Sequence, residues 1–251
     1  MSTVAAGRAQ DAGRAARPLG RSVLRNVFAG VAALAVVLAA STAVMWTATP
    51  SVGDLLQRAR EVQAAHGEVP RLDPPASRIV AALVATEDSR FFTHHGVDPY
   101  GAVRGSLGVL DGNALAGGSS LDQQLAKVLY LPRTDLIGKA EQIVVGVKID
   151  AGWSKQDVLR AYLSSVYFGH GFWGVDAASG GYFGLRPQQL STGQAALLAG
   201  IVQAPSAYDP VEHLDLALQR RAHVLDRMVA TGALTPAAAA AAAHAPLALR
   251  P

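Results

Sequence analysis

Residues 117–130 read GGSSLDQQLAKVLY, and this stretch predicts an amphipathic helix behind a glycine pair. Ser119 or Ser120 can cap the helix, because a serine hydroxyl accepts a hydrogen bond from the free N–H groups of the first turn. Apolar residues three and four positions apart form one buried stripe, namely Leu121, Leu125, Val128 and Leu129. A different face carries uncharged donors and one cation, namely Ser120, Gln123, Gln124 and Lys127. That face suits an oxygen-rich ligand such as a sugar or pyrophosphate, and a solvated surface is the alternative.

The same helical period recurs on both sides of this stretch, and no alternating strand pattern of useful length is found. The sequence therefore predicts a mainly α domain. Residues 112–118 are rich in glycine and small side chains and are predicted to be mobile. Helices are predicted over residues 54–65, 76–88, 119–131, 135–151, 154–166, 175–182, 191–202 and 214–230.

One segment near the N-terminus is apolar enough to cross a membrane. Residues 27–46 read VFAGVAALAVVLAASTAVMW without a charge, and twenty helical residues span roughly 30 Å, the thickness of a bilayer core. Arginines flank only its N-terminal side, which predicts a single-pass anchor with residues 1–26 as a basic cytoplasmic arm. A cleaved signal peptide is the alternative, because Ala39, Ala40 and Ala43 offer small residues to a peptidase.

Composition excludes several classes of protein. The first 25 residues hold five arginines and one acid, so the net charge of +3 describes this arm and not the folded body. The body lacks the basic surface of a nucleic-acid binder. No cysteine is present, which excludes disulfides, thiolate nucleophiles and cysteine metal sites.

Residues 85–99 read ATEDSRFFTHHGVDP and contain the best candidate for a catalytic base. Glu87 follows Leu83 by four positions, so it continues the apolar stripe of its helix. Partial burial would raise the pKa of this carboxyl and make it a competent base. The alternative is an ordinary acid at a helix end, paired with Arg90. The adjacent His94 and His95 do not face one ligand, so packing or turn formation is expected of them.

These segments resemble, in order, the motifs of the peptidoglycan glycosyltransferase domain, glycosyltransferase family 51. Residues 87–99, EDSRFFTHHGVDP, resemble the first motif, and residues 117–130 resemble the second. Residues 154–169, SKQDVLRAYLSSVYFG, and residues 190–210, LSTGQAALLAGIVQAPSAYDP, resemble later ones. The similarity runs from about residue 72 to about residue 232.

The resemblance implies a lysozyme-like helical fold with a small mobile lobe. It also implies polymerisation of lipid II, the undecaprenyl-pyrophosphoryl disaccharide-peptide, into β-1,4-linked glycan with inversion. The partners implied are lipid II, the growing lipid-linked glycan, the membrane, and transpeptidases or other cell-wall proteins. No cofactor is required by this resemblance, although Mg²⁺ or another divalent cation helps some members, and no metal signature is visible.

By this resemblance Glu87 is the general base. Gln142 occupies the position of the family's second glutamate, with Glu141 one residue earlier, so Gln142→Glu is expected to preserve or increase turnover. Val128 and Ser164 stand where asparagine is usual, and Gln194 where glutamate is usual. Substrate-binding roles are implied for Arg90, Ser119, Ser120, Gln123, Gln124, Lys127, Arg133 and Lys139.

The expected organisation has five parts. They are the arm (1–26), the transmembrane helix (27–46), a linker with a juxtamembrane helix (47–71), the glycosyltransferase domain (72–232) and an Ala/Pro-rich tail (233–251). No transpeptidase domain follows, so a monofunctional enzyme is expected. Two other functions stay open, a catalytically weak or inactive scaffold that binds lipid II and a lytic glycan hydrolase.

Overall fold

A computed structural model describes residues 19–101, 103 and 118–250. The chain divides into two compact units, residues 1–47 and residues 48–251. The described residues form helices and no strand, apart from one isolated bridge between Tyr167 and Trp173. The predicted mainly α fold is therefore confirmed. The predicted mobile stretch lies almost wholly outside the described residues, as do the first eighteen residues of the basic arm.

The first helix, α1 (Leu19–Ala48), contains the predicted span. Its stretch from Val23 to Ala48 has a mean hydropathy of 2.3, and its length and composition are those of a membrane-crossing helix. Its large apolar side chains are exposed, and Trp46 near its C-terminal end is half exposed. A surface of this kind is stable in lipid and unfavourable in water.

The second unit contains nine further α-helices in its described part. They are α2 (Leu55–Ala65), α3 (Ser77–Glu87), α4 (Leu121–Leu129), α5 (Leu136–Gly152), α6 (Lys155–Ser165), α7 (Val175–Phe183), α8 (Thr192–Ile201), α9 (Leu214–Ala230) and α10 (Pro236–His244). The predicted helices lie within about two residues of these bounds. The predicted serine cap of α4 also forms, since Ser120 accepts from Gln123 N–H. Ser154 caps α6 in the same way by accepting from Asp157 N–H.

Helix α8 lies at the centre of one group of helices. Every residue from Gly193 to Ile201 is buried, and α3, α9 and α10 pack around it. Its buried polar side chain, Gln194, accepts from Ser191 N–H and donates to the Leu247 carbonyl. This amide therefore has a structural role, and it joins α8 to the segment that follows α10.

The 233–251 stretch also forms part of this core. Helix α10 buries Ala239 and Ala242, and a Cβ at Gly193 would lie 2.7 Å from the Ala242 carbonyl oxygen. Glycine at this position lets the two helices approach closely. Further along, Arg250 N–H donates to the Tyr182 carbonyl. The alanine-rich part of this stretch is thus a packed helix.

The second group of helices consists of α2, α4, α5, α6 and α7, with α4 packed on α5 and α6. A loop residue, Gly96, fits tightly against α5. Its φ of +74° suits glycine, and a Cβ there would lie 2.6 Å from the Gly146 carbonyl oxygen. The loop that contains Gly96 is therefore packed in a fixed position against α5. Helices α4 and α5 contribute most residues of the candidate site.

Candidate active site

A cavity of about 410 Å³ opens where the ends of α3 and α8 face α4, α5 and α6. Most of its lining residues have polar side chains, and they come from distant parts of the sequence. The lining residues are Glu87, Ser119, Gln123, Gln124, Lys127, Val128, Thr134, Lys139, Gln142, Tyr162, Val166, Val202 and Gln203.

Glu87 is the last residue of α3, and the buried stripe of this helix aims it at the cavity. Its side chain is only 12% exposed. The Oε2 atom accepts a hydrogen bond from Gln124 Nε2 at 3.1 Å, and Oε1 lies 3.3 Å from Arg220 Nη2. Tyr162 Oη donates to Gln124 Oε1 at 2.7 Å. The carboxylate is thus fixed through both oxygens, and its ion pair is with Arg220, not with Arg90.

Burial raises the pKa of Glu87 above its ordinary value. The hydrogen bond from Gln124 and the charge of Arg220 partly oppose this shift, and the neighbouring Asp88 adds to it. A carboxylate of raised pKa is a stronger base than one in water. Burial also raises the pKa of Tyr162 well above its usual range, so its hydroxyl stays protonated and keeps its bond to Gln124.

Two lysines, Lys127 from α4 and Lys139 from α5, line the same cavity. Within the described part of the chain, neither has a carboxylate at ion-pairing distance. Lys139 Nζ contacts Ser119 Oγ at 2.5 Å. Burial lowers the pKa of Lys139, and the charge of Lys127 lowers it further, so the two ammonium groups are close enough to repel each other. Two cations without counter-ions in one cavity would attract a strongly anionic group.

Three of the predicted substrate-binding residues do not line the cavity. Ser120 is buried as the cap of α4, and its hydroxyl donates to the Gly96 carbonyl at 2.6 Å. Arg90 pairs with Asp98, and Arg133 forms a surface ion pair with Asp135 at 2.7 Å. The structure brings together the other five, namely Ser119, Gln123, Gln124, Lys127 and Lys139. Their contacts with substrate stay predictions.

Gln142 lies in the cavity wall but is almost fully buried. Its Nε2 donates to the Arg133 carbonyl at 2.7 Å and to the Leu131 carbonyl at 3.2 Å. The amide thus holds the segment between α4 and α5 in place. Glu141 does not take over the position, because its carboxylate faces Arg133 at 3.8 Å and lies outside the cavity lining.

The donor set does not fit a divalent cation held by the protein. Mg²⁺ prefers several oxygen ligands, usually with carboxylates among them. Among the described lining residues, one carboxylate stands beside two ammonium groups.

A separate buried cluster joins α3 to α4. Asp88 Oδ2 accepts from Leu121 N–H at 2.9 Å and lies 2.8 Å from His94 Nε2. Asp122 is completely buried 3.4 Å from Lys155 Nζ, and burial raises its pKa to about 6. The atoms of Asp88, His94 and Asp122 that could bind a metal ion lie within 4.8 Å of one another. However, Asp88 already accepts from Leu121 N–H, and Asp122 is already paired with Lys155. The cluster is a structural link, which agrees with the packing role expected of His94.

Sequence reasoning missed Arg220, the ion-pair partner of Glu87. It also missed the lining residues Thr134, Tyr162, Val166, Val202 and Gln203. Arg220 lies on α9, where a buried stripe includes Ala217, Val224 and Met228. An arginine on an apolar stripe is a signal that could have identified Arg220, because a buried cation requires a partner. The sequence does not show which acid that partner is.

Most of this chain is similar in sequence to known proteins. The family model described as Transglycosylase matches residues 53–229. Penicillin-binding protein 1A of Escherichia coli (strain K12) is 39% identical over 181 residues, covering 70% of this chain and 21% of that protein. Penicillin-binding protein 1A of Aquifex aeolicus (strain VF5) is also 39% identical over 181 residues, covering 71% of this chain and 25% of that protein.

A crystal structure of penicillin-binding protein 1A from Haemophilus influenzae is 32% identical and covers 38% of this chain and 14% of that one, with a TM-score of 0.37. That score is too low to support a statement about the fold. The family model, however, matches well over half of the chain, so this protein belongs to the Transglycosylase family. The chain spans about a fifth to a quarter of the length of the relatives named above.

Proposed function

We propose that this protein is a peptidoglycan glycosyltransferase that polymerises lipid II into β-1,4-linked glycan and releases undecaprenyl pyrophosphate. The observation that carries the proposal is the buried Glu87 carboxylate in the same cavity as the unpaired cations Lys127 and Lys139. A base and an anion site in one cleft are what transfer of a sugar from a pyrophosphate requires. Membership of the Transglycosylase family supports lipid II as the substrate class.

In the proposed reaction, Glu87 accepts the proton of the glucosamine 4-hydroxyl of lipid II. The oxygen forms a bond to the anomeric carbon of the lipid-linked muramic acid while the bond from that carbon to the pyrophosphate oxygen breaks. The electron pair leaves with the pyrophosphate, where Lys127 and Lys139 stabilise the charge. Displacement from the opposite face inverts the anomeric carbon, and Glu87 then loses its proton to water.

The two alternatives are less well supported. A glycan hydrolase normally uses two carboxyl groups across the scissile bond, and the described cavity lining offers one. A binding scaffold would not need a desolvated carboxylate held by both an amide and a guanidinium, an arrangement that costs free energy without improving contact with a pyrophosphate.

The proposed location is the bacterial plasma membrane, with α1 as a single-pass anchor and the cavity on the outer side. The apolar surface of α1 and the arginines at its N-terminal side support this topology. The expected partners are lipid II, the growing lipid-linked glycan and cell-wall transpeptidases. Monofunctional action remains an expectation, which would be tested by asking whether the purified chain makes glycan without peptide cross-links.

The wild-type pH profile is the first test. The full chain in detergent, supplied with lipid II, should form glycan with a bell-shaped dependence of kcat/KM on pH. Its acid limb should lie above the ordinary glutamate value of about 4.3, because Glu87 must be deprotonated and its pKa is raised. Its basic limb should lie below about 10.4, because the pKa of Lys139 is lowered. Absence of polymer at every pH would refute the proposal.

The two lysines give a second test. Lys127→Gln and Lys139→Gln should each lower kcat about 10²-fold, because each removes a cation that meets the leaving pyrophosphate. Arg60→Gln removes an exposed cation from α2 and is the matched control, which should keep the wild-type rate. Equal losses in all three variants would mean that general charge, and not these two positions, supports the reaction.

A further inference from the structure

Arg220 contacts the proposed base from the interior of the protein. Only 5% of its side chain is exposed, and its Nη2 lies 3.3 Å from Glu87 Oε1. Arg220 is absent from the cavity lining, so its guanidinium approaches Glu87 from behind while the substrate would approach from the cavity. The residue therefore acts on the base without any contact with substrate.

The surroundings of Arg220 are shaped to admit it. The Nε atom lies 3.4 Å from the Gly200 carbonyl of α8, and a Cβ at Gly200 would lie 2.9 Å from Arg220 Cγ. Glycine at position 200 therefore leaves room for the arginine stem. The Nη1 atom is buried without a hydrogen-bond partner among the described residues. Such an N–H lowers stability, and Arg221 Nε is likewise buried without a partner among the described residues. The ion pair with Glu87 is therefore the contact that distinguishes Arg220.

The neighbouring arginine shows what a structural arginine looks like here. Arg221 is also buried on α9, but its Nη2 donates to the Ala243 carbonyl at 2.7 Å and anchors the end of α10. No ion pair joins Arg221 to Glu87 in the described part of the chain. The two consecutive arginines therefore have different partners, and only the partner of Arg220 is a carboxylate.

We propose that Arg220 is a positioning residue that keeps the Glu87 carboxylate ionised and oriented inside a desolvated cavity. This proposal rests on the proposed function. Gln124 holds Oε2 and Arg220 holds Oε1, so the carboxylate has one orientation toward the cavity. A cation within about 4–6 Å typically lowers a carboxyl pKa by about 1–3 units. Without it, burial would leave the base protonated over a wider range of pH.

The other charged and titratable groups around Glu87 are not suited to the same role. Asp88 is next in the chain and opposes ionisation, and Tyr162 from α6 stays protonated. Lys127 from α4 and Lys139 from α5 lie across the cavity, where the pyrophosphate would occupy them. Arg220 is thus the one cation, among the described residues, that stays paired with Glu87 when the leaving group is bound.

The test is the pH dependence of kcat/KM for lipid II polymerisation by the full chain. Arg220→Met and Arg220→Gln should shift the acid limb to higher pH by about one pH unit or more. At pH values on the acid side of that limb, kcat/KM should be about tenfold lower than in the wild type. Arg220→Lys keeps a cation and should keep the limb near the wild-type position. Arg221→Met should lower Tm while leaving the limb unchanged.

Each outcome decides the proposal. An unmoved acid limb in an active Arg220→Met or Arg220→Gln variant would overturn it, as would an equal displacement in Arg221→Met. If neither neutral variant folds although Arg221→Met does, the role of Arg220 is structural and the proposal also fails. A wild-type chain without activity at any pH would instead overturn the proposed function, so the two failures are distinguishable.

Discussion

Glu87→Gln should lower the rate of lipid II polymerisation by roughly 10²–10⁴-fold, the usual contribution of a positioned general base. The substitution keeps the size of the side chain and an oxygen that can accept from Arg220, but it removes the proton acceptor. The helical fold should persist because α3 is held by apolar contacts of Ile79 and Leu83. Glycan formation and circular dichroism, measured on the same preparation, would check both halves of this prediction.

Glu141→Gln is the matched control for this variant. It makes the same chemical change on α5, at a carboxylate that faces Arg133 at 3.8 Å and does not line the cavity. Its rate should stay close to that of the wild type. A wild-type rate for Glu87→Gln would show that Glu87 is not the base. A large loss of rate for Glu141→Gln would show that Glu141 also contributes to the reaction.

The sequence could predict Glu87 because the relevant information is local. The four-residue spacing from Leu83 fixes the face of the helix, and the end of the apolar stripe fixes the depth of the side chain. The same holds for three of the four residues expected on the polar face of α4, since Gln123, Gln124 and Lys127 line the cavity. Helix periodicity alone decides these positions. Ser120 instead caps the helix, and Val128, expected in the buried stripe, lines the cavity.

Partners that lie far apart in the sequence could not be found in this way. Arg220 is separated from Glu87 by 133 positions, and only the packing of α9 against α3 brings them together. Arg90, three residues from Glu87, is the simpler partner by sequence and is engaged by Asp98 instead. Pairing of buried charges is decided by tertiary contacts, which the periodicity of one helix does not contain.

Gln142 illustrates the same limit with a different consequence. Its position on the cavity face of α5 follows from its spacing from Lys139, but its partners are the carbonyls of Leu131 and Arg133. These carbonyls are presented by a loop whose path the sequence does not specify. An amide N–H₂ can donate to both carbonyls, whereas an ionised carboxylate can donate to neither.

Gln142→Glu is therefore expected to impair the protein, which reverses the expectation drawn from the sequence. The two carbonyls are only partly buried, so each one that loses its donor costs ~1 kcal/mol, the low end of the usual range, and an ionised carboxylate placed against it adds repulsion. The free energy of unfolding should fall by about 2 kcal/mol, which corresponds to a decrease in Tm of about 4–8 °C. Turnover should fall as well, because the loop carries Thr134 into the cavity wall beside Lys139.

The pH dependence of this loss separates the lost hydrogen bonds from a general effect of added charge. Protonation of the introduced carboxyl restores one donor, so the Tm deficit relative to the wild type should be smaller at about pH 5 than at about pH 8. Gln156→Glu makes the same change at an exposed position in the first turn of α6, where a negative charge is favourable, and should leave Tm nearly unchanged. A Gln142→Glu variant as stable as the wild type at both pH values, with equal or higher turnover, would show that the loop rearranges to accept an acid. Position 142 would then tolerate either side chain, and the amide would not be required for the proposed reaction.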